Sequence, residues 1–208
     1  MRIMTLQMMM GTKMILIVDT ESDPVTKEPE SVQLKWGKYT EIIKNFNHLE
    51  RLEALWSNCD AVIMFNAPYD MGVLSSLKGN SYEYKNDAWI MEIAGFKYKV
   101  MRLGFARNMI KALSKDAPPV IDVLKLWNIL VSDKDISLKA LIRKELGEEA
   151  IPYSEENAKT RAYQLQDVVQ LEKIWNIFLD KVKDIPNLTN YNYKDWSEIN
   201  TPATFVKK

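Results

Sequence analysis

Two carboxylates stand one residue apart at the end of an apolar run near the start of the chain. The run Met14-Ile15-Leu16-Ile17-Val18 leads directly into Asp19-Thr20-Glu21. In a strand, side chains two residues apart project from the same face, so Asp19 and Glu21 would lie side by side. Like charges at that distance repel, and each unit of raised pKa costs about 1.4 kcal/mol unless a cation offsets it. The natural partner of such a pair is a divalent cation.

A second apolar run also ends in residues that can do chemistry. Residues 61–65 are apolar enough for a buried strand, and Asn66-Ala67-Pro68 follows with the capping residue and early proline that begin a helix. Tyr69 and Asp70 therefore fall in the first turn of a predicted helix. If this strand and the first are neighbours in the sheet, Asp70 would lie near Asp19 and Glu21.

A long helical pattern near the end of the chain supplies the remaining groups. It runs from residue 154 to about 182, and Tyr163 and Asp167 lie four residues apart within it, on one face. If this helix crosses the strand ends, four carboxylates and one phenol converge. Such a pocket suits two Mg²⁺ or Mn²⁺ ions about 4 Å apart, the arrangement used for in-line attack on a phosphodiester.

In this order the three segments resemble the motifs of the DnaQ-like, or DEDD, superfamily of 3'-to-5' exonucleases. The matching stretches are Ile17-Val18-Asp19-Thr20-Glu21, Phe65-Asn66-Ala67-Pro68-Tyr69-Asp70 and Tyr163-x-x-x-Asp167. The tyrosine in the third stretch is typical of the DEDDy branch, which includes proofreading domains of DNA polymerases. The resemblance covers about residues 14–183, with residues 81–117 a poorly matched insertion.

The resemblance implies a fold, a reaction and a role for each residue. The fold would be α/β, a ribonuclease-H-like mixed sheet flanked by helices. Asp19 would bridge both metals, Glu21 and Asp167 would complete one metal site, Asp70 would hold the second metal and Tyr163 would orient the attacking water. The substrate would be the 3' end of single-stranded or frayed DNA, and the products 5'-mononucleotides. Three further motif residues are expected to contact the substrate: Thr20, Asn66 and Tyr69.

Composition excludes several other classes of protein. The chain has 208 residues, and its Lys+Arg and Asp+Glu totals are both 28, so no bulk positive field points to a coat-like DNA binder. Cys59 is the only cysteine and His48 the only histidine, which excludes an intrachain disulfide, a cysteine-cluster metal site and a histidine-rich zinc site. No apolar run approaches the roughly 20 residues of a membrane span, so no membrane partner and a cytoplasmic location are expected.

The remaining pattern predicts one domain with two appended segments. Residues 1–13 are a leader or an extra strand, residues 14–183 form the domain, and residues 184–208 form a C-terminal tail or a segment wrapped on the surface. Further predicted elements are a half-exposed strand at 32–36 paired with 41–44, helices at 48–58 and 138–146, and a short core strand at 118–121. Residues 122–130 are a helix or the exit of that strand, and Asp122 is expected to cap the helix that follows.

Three alternatives stay open on the sequence alone. The same site chemistry serves exoribonucleases, because the 2'-hydroxyl is read by details that the motifs do not carry. A catalytically silent module of the same fold could instead bind a polymerase or replication partner through the tail residues 201–206. The insertion interleaves aromatic and basic residues, a mixture equally compatible with single-strand binding and with a hairpin that packs its rings inward.

Overall fold

The structure, a computed structural model, describes residues 14–23, 25–26, 28–102, 108–131, 136–152, 154, 156–157, 160–185, 188 and 191–199. The predicted leader at 1–13 and tail residues 200–208 lie outside this part of the chain. The strands are β1 (Ile15–Ser22), β2 (Pro29–Trp36), β3 (Tyr39–Ile43), β4 (Ala61–Met64), β5 (Ser81–Lys85), β6 (Ala88–Ile93), β7 (Phe96–Arg102), β8 (Asn108–Ala112) and β9 (Val120–Asp122). The helices are α1 (Glu50–Asn58), α2 (Ala67–Ser75), α3 (Val123–Leu130), α4 (Leu138–Leu146), α5 (Arg161–Val182) and α6 (Tyr193–Glu198).

A mixed sheet with the strand order β3-β2-β1-β4-β9 forms the centre of the molecule. β1 pairs antiparallel with β2 and parallel with β4, and β4 pairs parallel with β9. The predicted α/β class, a mixed sheet with helices, is confirmed. The three parallel strands end at the same edge, which is where the sequence places its acidic side chains.

Both faces of β1 are buried, as its apolar run predicts. Leu16 and Val18 enter one core together with α1, α2 and the second sheet. Ile17, on the opposite face, enters a second core formed with α3, α4, α5 and α6. By the alternation of a strand, Asp19 and Glu21 share the face of Ile17, the side that α5 covers.

The structure corrects the expectation that β2 is half exposed. Gln33 and Lys35 are buried, because α5 covers the polar face of this strand. The Lys35 ammonium donates to the Gly37 carbonyl at 2.6 Å and lies 3.1 Å from the Glu172 carboxylate of α5. The hydrogen bond and the opposite charge together offset the cost of burying this ammonium group in the strand.

Helix ends follow local capping chemistry. α5 begins at Arg161 rather than at residue 154, because the Thr160 hydroxyl accepts from the Tyr163 amide at 3.1 Å and caps the helix there. α4 ends at Leu146 and is stopped by Gly147, as predicted, with φ of 64° at that glycine. Asp122 caps α3, also as predicted, by accepting from the Lys125 amide.

The described part of the predicted tail is packed rather than loose. It contains α6, which a reciprocal capping box between Asn192 and Asp195 begins. Trp196 and Ile199 are buried in the second core, where the Trp196 ring meets the Trp175 ring of α5 edge to face, with the centroids 6.3 Å apart. These contacts join residues beyond 183 to the domain that precedes them.

The predicted insertion is a second, four-stranded antiparallel sheet in the order β5-β6-β7-β8. Its inner face packs on α2 and the first core, and the Tyr98 hydroxyl accepts from the Trp56 indole at 2.8 Å and donates to the Pro118 carbonyl at 3.1 Å. In the described part of the chain, no helix has both the length and the apolar character that crossing a membrane requires.

Candidate metal centre

The acidic side chains at the end of β1 meet one from the first half of α5. Oxygens from Asp19, Glu21 and Asp167 all lie within 4.8 Å of one another. Strand alternation turns the first two toward α5, and the packing of α5 across β1 and β2 brings Asp167 to them. Asp19 and Asp167 are partly buried, whereas Glu21 is exposed, so the cluster opens to solvent on one side.

Asp70 reaches the same strand end from the other side. Its Oδ1 accepts from the Thr20 amide at 3.0 Å and from the Thr20 hydroxyl at 2.7 Å. The Asp70 side chain is buried, yet its Oδ2 has no hydrogen-bond partner among the described residues. Asp167 Oδ1 is likewise buried and without such a partner. An unpaired buried oxygen costs about 1 to 3 kcal/mol, a cost that a bound cation would offset.

The cluster places several carboxylates close together where they are only partly solvated, and both conditions disfavour the ionised forms. Burial first, and then three neighbouring carboxylates, raise the pKa of Asp19 well above its usual value; these neighbours are Asp70, Asp167 and Glu21. Partial desolvation of its carboxylate and then the charge of Asp167 raise the pKa of Glu21, and desolvation raises the pKa of Asp167. The pKa of Asp70 is raised to about 8, chiefly by burial, although both hydrogen bonds from Thr20 lower it.

Lys139, in the first turn of α4, is a cation of this site that the sequence motifs do not reveal. Its charge lowers the pKa of Asp19, of Glu21 and of Asp167. Its side chain is exposed, so it offsets only part of the repulsion. Periodicity predicts the helix that carries Lys139 but not the packing of that helix beside the strand end.

Gln33 is a second residue that the motifs do not reveal. It lies directly opposite Asp19 in the β1–β2 ladder. Oriented by its hydrogen-bond partners, its carboxamide accepts from the Ser31 hydroxyl and donates to the backbone carbonyl of Asp19 at 2.8 Å and to Asp19 Oδ2 at 3.1 Å. Gln33 therefore fixes the Asp19 carboxylate. A polar residue within a predicted strand is the available signal, but the strand register is needed to pair it with Asp19.

The residues predicted to contact the substrate occupy different positions around the cluster. Thr20 is buried, and the contact that the structure gives its hydroxyl is the one to Asp70. Asn66 is exposed and occupies the N-cap position of α2 in a left-handed conformation, with φ of 60°. Its side chain makes no capping hydrogen bond. Its backbone N–H donates to Asp122 Oδ1 at 3.1 Å. Tyr69 is half exposed, and its hydroxyl hydrogen-bonds the Ser22 hydroxyl.

Tyr163 lies one turn before Asp167 on α5 and is partly buried. Residues four apart on a helix share a face, so the phenol and the carboxylate project from the same side of α5. The structure thus places Tyr163 on the face of α5 that carries the cluster residue Asp167.

The donor set is suited to a hard divalent cation. All of its members offer carboxylate oxygen, the ligand that Mg²⁺ and Mn²⁺ prefer. A bound cation would lower the raised pKa values and would give the unpaired oxygens of Asp70 and Asp167 the partner they lack. Asp19, Glu21 and Asp167 could hold such an ion together.

Comparison with protein-family models and with curated proteins finds no match for this chain.

Proposed function

We propose that this protein is a metal-dependent 3'-to-5' exonuclease with a ribonuclease-H-like fold of the DnaQ-like, tyrosine type. The observation that carries the proposal is the cluster of Asp19, Glu21 and Asp167, with ligand oxygens within 4.8 Å of one another at the carboxyl end of the central strand. The mixed sheet with helices and the order of the three motifs in the sequence support it.

Each polar group at the strand end has a task in this proposal. Asp19, Glu21 and Asp167 hold the cation, and Asp70 contributes its free oxygen from the α2 side. Divalent ions bound here would supply an activated water and stabilise the charge that develops on the phosphate and the leaving oxygen.

The surrounding residues keep these carboxylates in place. Gln33 fixes the orientation of Asp19, and Thr20 fixes that of Asp70. Tyr163, on the face of α5 that carries Asp167, would orient the attacking water. Lys139 places a positive charge near the acids, where it also attracts a phosphate.

The test is digestion of a 5'-labelled single-stranded DNA oligonucleotide with Mg²⁺ or Mn²⁺. We expect a ladder that shortens from the 3' end and is lost both in EDTA and in Asp19→Asn. Asp116→Asn, which removes an equal charge from an exposed turn outside the cluster, serves as the matched control and should cleave like the wild type.

A matched RNA oligonucleotide in the same assay separates the deoxyribonuclease from the exoribonuclease. DNA is the expected substrate, and faster cleavage of RNA would replace it. Absence of cleavage of both strands in both metals would refute the nuclease and favour a silent interaction module. Tail residues 201–206, proposed to recruit a replication partner to such a module, lie outside the described residues.

A further inference from the structure

A groove begins at the first turn of α2, the turn that also carries Asp70. It lies between α2 and the second sheet and has a volume of about 330 Å³, within the range of clefts that hold small ligands. Pro68, Gly72 and Ser75 form its helical wall, and Tyr82 and Trp89 lie on the sheet side. Of the described residues that line it, none carries a charge.

At the sheet side of this groove, the ring of Trp89 contacts two tyrosine rings, Tyr82 in the groove lining and Tyr84 beside it, and all three rings are open to solvent. The Trp89 ring centroid lies 5.6 Å from that of Tyr82 and 5.1 Å from that of Tyr84. The exposed fractions of Tyr82, Tyr84 and Trp89 are 56%, 60% and 40%. Exposed aromatic rings in a cluster are typical of a binding site, because burying such rings would stabilise the domain.

The strand register separates these rings from the lysines that interleave with them in the sequence. Tyr84, Trp89 and Val100 lie side by side across β5, β6 and β7, and so share a face of the sheet. Lys99 pairs with Lys111 on the opposite face. The described residues that line the groove therefore present aromatic rings and no charge, a surface suited to the faces of nucleobases.

Resting on the proposed function, we propose that this aromatic groove binds unpaired bases of the substrate strand next to the nucleotide being removed. The two sites are continuous through α2, whose first turn carries Pro68 toward the groove and Asp70 toward the acids. Tyr69, in the same turn, extends the exposed aromatic surface to the end of β1 through its hydrogen bond to Ser22. A strand that ends at the carboxylates can thus stack its preceding bases on Trp89 and Tyr84.

The experiment measures the affinity of a fluorescently labelled oligo(dT) by anisotropy in EDTA, where no cleavage interferes. Trp89→Ala and Tyr84→Ala should each weaken binding roughly tenfold, the loss expected for one base–aromatic stack. Trp89→Phe keeps a ring and should bind nearly as well as the wild type. Tyr39→Ala removes a similarly exposed tyrosine from β3, at the far edge of the central sheet, and should change nothing.

A strand of the same length with abasic sites in place of its bases distinguishes bases from phosphates. Stacking predicts that the wild type loses at least as much affinity for this strand as Trp89→Ala loses for oligo(dT), because both stacks are lost. Three results would overturn the proposal: equal binding of the two strands, unchanged binding in both alanine variants, or no binding of oligo(dT). The third result would favour a peptide as the ligand of the groove.

The hydrolysis of the p-nitrophenyl ester of thymidine 5'-monophosphate, which has no base next to the nucleotide being released, separates the groove from the nuclease itself. With Mg²⁺ present, Trp89→Ala and Tyr84→Ala should cleave it at the wild-type rate while the KM for oligo(dT) rises. Binding of oligo(dT) that depends on Trp89 in a protein that cleaves nothing would support the groove and refute only the proposed reaction.

Discussion

The substitution Asp19→Asn tests whether the cluster is a site of repulsion that a cation relieves. At an effective dielectric constant of about 20, two unit charges 4.8 Å apart repel by about 3.5 kcal/mol. Asp19 faces more than one such neighbour, but Glu21 is exposed and Lys139 offsets part of the repulsion. We therefore expect a net gain of about 1 to 2 kcal/mol in the metal-free variant near neutral pH.

Thermal melting of the wild type and the variant, each in EDTA and in excess Mg²⁺, measures this gain. A gain of about 1 to 2 kcal/mol raises the Tm by roughly 2 to 8 °C in a protein of this size. Mg²⁺ at a hundredfold excess over its Kd should increase the free energy of unfolding of the wild type by about 2.7 kcal/mol, and its Tm should rise accordingly. The variant should respond little, because it lacks the carboxylate at the centre of the cluster.

Asp116→Asn removes one exposed negative charge outside the cluster, so its Tm should stay near that of the wild type and respond to Mg²⁺ in the same way. If Asp19→Asn melts below the wild type in EDTA, the Asp19 charge is stabilising in the absence of metal. The reasoning from repulsion would then be wrong.

Two further predictions concern the same charges. Lys139→Met should lower the Tm in EDTA, the opposite of the effect of Asp19→Asn, because it removes the cation that lowers the pKa of three acids. An unchanged Tm would show that solvent already screens this charge. Asp70 has a pKa raised to about 8, so it stays protonated in the folded state at pH values where it ionises in the unfolded state. The stability that this group contributes is therefore present at low pH and is lost as the pH rises through about 8. Between about pH 5 and pH 8 the free energy of urea unfolding in EDTA should fall, by about 1 to 3 kcal/mol after solvent relaxation, and Asp70→Asn should flatten the slope; a rise over this window would contradict the assignment.

Sequence reasoning succeeds where a single local rule decides the outcome. The apolar run before Asp19 predicts a central strand, and alternation predicts that Asp19 and Glu21 share a face. The asparagine and proline after β4 predict the start of α2, and Gly147 marks the end of α4. Each of these depends on neighbours in the chain and needs no knowledge of packing.

Sequence reasoning fails where the outcome depends on which surfaces meet. Val32-Gln33-Leu34-Lys35-Trp36 alternates as a half-exposed strand does, but α5 buries its polar face, so Gln33 serves Asp19 and Lys35 pairs with Glu172. The charge of Lys139 acts on the acids because of the way α4 packs, which periodicity cannot predict. The segment after residue 183 is polar, and its few aromatic residues did not indicate that Trp196 would enter the core.

Thr20 shows how one strand end organises acids from two sides of a sheet. Alternation directs its neighbours Asp19 and Glu21 toward α5, so the Thr20 side chain must point the other way, toward α2. There its hydroxyl and its amide both donate to Asp70. A β-branched residue suits the strand, and a hydroxyl is required to hold the carboxylate, so threonine meets both demands. Asp70 of α2 is thus tied to one face of β1, while Asp167 of α5 approaches Asp19 and Glu21 from the other, and a change in the path of that strand would separate these acids.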